Sequence, residues 1–77
     1  MNAPAHISKR EANAAEQSAA FFSLSQTQRR LAHEYKRWAL ADAAEGFLEL
    51  YERHRAESDR LWNDAKWHLN RARMARQ

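Results

Sequence analysis

Residues 47–75 read FLELYERHRAESDRLWNDAKWHLNRARMA, and one line of positions recurs along them at steps of four and three. That line is Phe47, Tyr51, His54, Ser58, Leu61, Ala65, His68 and Ala72, widened on one flank by Leu48, Trp62 and Leu69. A 4-3 rhythm held over more than three heptads belongs to a helix with one face made for another helix, because a strand alternates with period two. Phe47, Leu48, Tyr51, His54, Leu61, Trp62, Ala65 and Leu69 are the expected oligomer-interface residues of this long helix.

Upstream, the composition allows little except helix. The 77 residues hold one Gly and one Pro, and valine is absent. No window offers the β-branched and aromatic run that a strand needs. Ser8-Lys9-Arg10-Glu11 and Ser25-Gln26-Thr27-Gln28 both match the capping-box pattern, and Ser23-Leu24-Ser25 reads as a break. The reading is therefore a disordered segment 1–7 followed by one helical domain, 8–77, with helices over about 9–22, 26–44 and 47–75. In the second of these, Leu31, Tyr35, Trp38 and Asp42 share a face with Ala39 beside it.

The apolar stripe of 26–44 lies out of phase with that of 47–75. A turn near residues 41–46, with Gly46 supplying a left-handed residue at a helix end, explains the jump and gives a helical hairpin. Ala41-Asp42-Ala43-Ala44-Glu45 is also good helix, so an unbroken helix pairing antiparallel with a second copy gives the other solution. Charge follows the same geometry. Residues 29–37 are basic, 42–59 acidic and 60–77 basic again, so either arrangement lays a basic block along an acidic one, with residue 37 near 51 and residue 29 near 59. Exposed ion pairs contribute roughly 0–1 kcal/mol each and select register more than they stabilise.

A chain this short buries little core and needs disulfides, a metal or oligomerisation. With no cysteine, disulfides and thiolate zinc sites are excluded, and a homodimeric helical bundle or coiled coil is the expected form. No signal-peptide pattern and no bilayer-length apolar run occur, which gives the expectation of a soluble, cytoplasmic protein without membrane contact.

Chemistry-bearing patterns are scarce. His54 and His68 share the heptad face but lie about 21 Å apart along a helix, too far to hold one ion. Asp64 and His68 are spaced i, i+4 with no third ligand. The single glycine rules out a phosphate-cradling loop, and Ser58, Asp59 and His54 make no triad. No cofactor, metal or catalytic residue is expected. The residues left over lie at the C-terminal end: Trp67 and Met74, seven apart, among Lys66, Arg71, Arg73 and Arg76. Tryptophan and methionine on a polar face call for a cover, and aromatic and Arg residues anchor interfaces. These six are the candidate contacts to a protein partner in an interaction or regulatory module. The alternative is nucleic acid, with arginines on phosphates and tryptophan stacked on bases. In size and hairpin pattern the chain resembles small helical accessory proteins of plasmids and phages, among them the RNA-binding Rop dimer, a likeness of architecture that transfers no functional residue.

Overall fold

The computed structural model describes residues 9–75 as two helices, α1 (Lys9–Ala44) and α2 (Leu48–Ala75), packed side by side in a hairpin. The hairpin is extended, measuring 66 × 16 × 11 Å. The expected disorder of residues 1–7, the Ser8 cap and the contact residue Arg76 lie outside the described residues.

The chain reverses at Glu45-Gly46-Phe47. Gly46 has φ 82°, the left-handed conformation that glycine adopts without a Cβ penalty. Around it the Phe47 amide donates to the Asp42 carbonyl (2.8 Å) and the Gly46 amide to the Ala43 carbonyl (3.1 Å). These two bonds form a Schellman cap that satisfies the last carbonyls of α1. The Tyr51 amide then bonds the Phe47 carbonyl (2.9 Å) and starts α2.

α1 differs from its expected form first in its continuity: it runs without interruption through Ser23-Leu24-Ser25. Serine favours helix ends because its hydroxyl competes for backbone groups. Here the Ser25 hydroxyl has a tertiary acceptor, donating 2.7 Å to the Ala65 carbonyl of α2, so the local competition is relieved.

Ser25 is one rung of a ladder. Ser18 donates to the Ala72 carbonyl (2.8 Å), and from the other helix Ser58 donates to the Ala32 carbonyl (2.8 Å). A serine side chain reaches a backbone oxygen directly only where two helices approach closely, and the buried residues explain how they do so. They are Ser18, Ser25, Ala32 and Ala39 on α1, and Ser58, Leu61, Ala65 and Ala72 on α2. Seven of the eight are Ala or Ser, spaced seven apart on each helix. The bonded partners are equidistant in sequence from residue 45, which sets the register. Residue 37 is therefore level with 53 and residue 29 with 61, a shift of two from the expected pairing.

Beside this ladder runs a second, half-buried line: Phe21, Gln28, Tyr35 and Asp42 of α1 against His54 and His68 of α2. The 4-3 face read from α2 is thus the face that meets α1. On α1 the inward line is 32, 35, 39 and 42, whereas Leu31 and Trp38, expected on that face, are exposed. One-residue offsets rotate a side chain by about 100° around a helix axis, enough to move it from the seam to its flank.

Candidate interaction surface

The two half-buried histidines fix the polar line. His54 Nδ1 donates to Asp42 Oδ2 (2.6 Å), and its ring also lies against Tyr35 and Trp38, with centroids 5.7 and 5.8 Å away. His68 Nδ1 donates to Gln28 Oε1 (2.7 Å) and stacks on Phe21 at 5.9 Å and 22°. Each histidine is held by α1 at a different level of the hairpin. Among the described residues no group of three His, Cys, Asp or Glu side chains converges as a metal site. Nor is any described helix long and apolar enough to cross a membrane.

Large apolar side chains are placed outside. Phe22, Leu24, Leu31, Trp38, Leu40, Leu50, Trp67 and Met74 are all exposed, whereas Leu61 is the sole large member of the described core. They divide between the two open sides of the hairpin. Trp38 and Trp67 lean over the polar line: Trp38 meets Tyr35 edge-on at 5.0 Å, and Trp67 meets Phe21 edge-on at 6.4 Å. Leu24 and Leu31 precede Trp38 by fourteen and seven residues and so share its helix face. On α2, Leu50 and Met74 stand at the corresponding flank positions beside Trp67. The Arg71 guanidinium lies 5.5 Å from the Trp67 ring centroid and 5.8 Å from that of Phe21, clamping the pair.

The opposite side is a groove floored by the small-residue ladder. Its walls carry His33, Lys36, Leu40, Arg55 and Trp62, and further along Phe22, Leu69 and Arg73. Trp62 takes His33 against its ring at 5.9 Å and the Arg29 guanidinium at 5.7 Å.

The expected interface residues are distributed as follows. Leu61 and Ala65 are buried against α1, and Tyr51, His54 and Leu69 are half-buried. Phe47, Leu48 and Trp62 stay exposed, Leu48 by 65%. Of the expected partner contacts, Trp67, Arg71 and Met74 gather on the aromatic side. Arg73 lines the groove, and Lys66, seven residues before it, shares its helix face. Leu24 and Leu31 were not singled out as contacts; their seven-residue spacing with Trp38 is the signal that marks them.

Charge pairs on the flanks stay within one helix: Arg37 with Glu34, and Arg60 with both Glu57 (2.6 Å) and Asp64 (3.0 Å). The hydrogen bond from Arg60 holds the Glu57 carboxyl below its ordinary range, and the same contact raises the Arg60 guanidinium. No protein-family model, curated protein or solved structure matches the chain.

Proposed function

We propose that this hairpin is a non-enzymatic interaction or regulatory module that binds other helices through its aromatic, arginine-bearing side. One observation carries the reading: among the described residues the interior is alanine and serine apart from Leu61, while tryptophans, leucines and Met74 stand exposed outside. Exposing them costs solvation unless another surface covers them. Trp67 clamped by Arg71 supplies the residue types that anchor interfaces, on a rigid helical platform. Trp67→Ala tests this directly. Helicity by circular dichroism should be nearly unchanged, while binding to a partner captured from the host weakens by about 2 kcal/mol or more. A fall in melting temperature with binding intact would assign Trp67 to packing on Phe21 alone.

A second reading rests on the groove, where Arg29 and His33 surround Trp62 with Lys36 and Arg55 beside them. The cations Arg29, Lys36 and Arg55 around an exposed indole suit a single-stranded nucleic acid, phosphates on the former and a base on the latter. A shift assay on mixed DNA and RNA at two salt concentrations separates the readings, because phosphate contacts make affinity fall steeply with salt.

A further inference from the structure

We infer that the aromatic side is covered by a second copy of this chain, packed antiparallel about a two-fold axis passing near Leu31. The inference rests on the proposed function and names the first occupant of that side.

A two-fold interface presents the same patch from both partners, so its apolar positions have to be arranged symmetrically about the axis. This side has that arrangement. On α1, Leu24 and Trp38 lie seven residues to either side of Leu31. On α2, the position level with Leu31 is residue 59, from the register set by the serine bonds. Leu50 lies nine residues before it and Trp67 eight after. Turning one copy over its twin about Leu31 therefore sets Leu24 against Trp38 and Leu50 against Trp67. All of these residues are exposed in the hairpin.

Charge favours the same orientation. The half nearest the turn, residues 30–60, holds seven carboxylates and six Lys or Arg, a net charge of −1. The remaining residues hold three carboxylates and seven Lys or Arg, a net charge of +4. Turn-on-turn stacking would place like halves together, whereas the antiparallel arrangement sets each basic half on an acidic one. The Leu24–Leu31–Trp38 edge also has no Lys or Arg at the flanking positions Ala20, Thr27, Glu34 and Ala41. The other side carries Arg29, Lys36, Arg55 and Arg73 against Asp59, whereas on the aromatic side Arg71 sits on the Phe21 and Trp67 rings and Arg60, seven residues before Trp67, is paired with Glu57 and Asp64.

The available area is sufficient. With the axis level with Leu31 the two copies overlap from the turn back to about residue 17, roughly 42 Å, and a strip of that length and 16 Å width is about 670 Å² per copy, inside the roughly 600–1,000 Å² per partner of stable complexes.

Because the chain has no cysteine, single cysteines on the full-length protein report the geometry cleanly. Leu31→Cys should oxidise to a covalent dimer by itself. Leu24→Cys and Trp38→Cys should cross-link when mixed but each remain largely uncoupled alone, and His33→Cys on the groove side should stay monomeric. Sedimentation equilibrium of the unmodified chain should give a dimer at micromolar concentration. Self-coupling of Leu24→Cys and Trp38→Cys separately would mean a parallel pair and overturn the orientation. Preferential coupling of His33→Cys would move the interface to the groove and overturn the choice of side. A folded monomer at micromolar concentration would overturn the inference altogether. The functional reading would then be judged separately by the binding of Trp67→Ala to its partner.

Discussion

The seam between the helices and the flank that carries Trp38 and Trp67 invert the usual placement of side chains. In the seam, seven of eight buried positions are Ala or Ser, and the half-buried line beside them includes Gln28, Asp42, His54 and His68. On the flank, leucines and tryptophans face outward. Close approach of two backbones, rather than bulk, holds the hairpin, and hydroxyl-to-carbonyl bonds specify its register. The bulk is left for another surface. A domain that spends its large residues on its exterior gains little from them as a monomer and much from association.

The sharpest way to break this contrast is to truncate one leucine in the seam and one that stands exposed outside it. Leu61→Ala, in the seam, should cost about 2–5 kcal/mol in denaturant unfolding, since it removes the large buried side chain of the described core. Leu48→Ala, near the turn and 65% exposed, should change stability by about 0.5 kcal/mol or less. Equal losses would mean that Leu48 is covered in solution. Next in size is Ala65→Leu, which adds bulk where the Ser25 hydroxyl bonds the Ala65 carbonyl. Overpacking there should cost about 1–3 kcal/mol, read as a lower denaturation midpoint, whereas Ala56→Leu on the exposed face should be nearly silent.

Ser25→Ala sharpens the account of the ladder. It removes one hydrogen bond of about 0.5–1.5 kcal/mol, partly offset by the roughly 0.5 kcal/mol better helix propensity of alanine. The expected result is a small loss of stability with no loss of helix over residues 22–28 in amide-exchange measurements. Local fraying there would show that α1 depends on this hydroxyl to pass through Ser23-Leu24-Ser25.

The smallest effect belongs to the flank charges. The folded-state carboxyl of Glu57 is held low by its hydrogen bond from Arg60, so its contribution is present above the ordinary value of 4.5 and lost as pH falls through the lower folded value. Both partners are solvent-exposed, so the melting temperatures of the native chain and Glu57→Gln should differ slightly at pH 7 and converge at pH 2–3. A difference that persists in acid would mean that Glu57 acts through packing.

Much of this was readable from residues alone, and the omissions have a common cause. The inward face of α2 contains Leu61 and aromatic rings, so hydrophobic period exposes it. The turn is marked by the lone glycine. The inward face of α1 is written in small residues, Ser18, Ser25, Ala32 and Ala39, which hydropathy passes over in favour of Leu31 and Trp38 one position away. Ser25 looked like a helix start because its hydroxyl bonds backbone groups locally in most settings; its acceptor here is forty residues distant. The side carrying Trp67 and Arg71 was visible only in part. Its other half, Leu24 and Leu31, becomes recognisable once the phase of α1 is known.

The ladder also gives the molecule a kind of translational symmetry. Its rungs recur every seven residues on both arms and are counted from the same turn. Removing seven residues from each arm at matching levels would slide every outer rung onto the place of the next, shortening the hairpin by about 10.5 Å while leaving the serine-to-carbonyl bonds intact. Removing them from one arm alone would leave the rungs matched but one end unpaired. Removing one or two residues instead would rotate the small residues out of the contact by about 100° or 200°. The reach of this fold therefore changes without loss of its rungs when both arms lose or gain a whole heptad together.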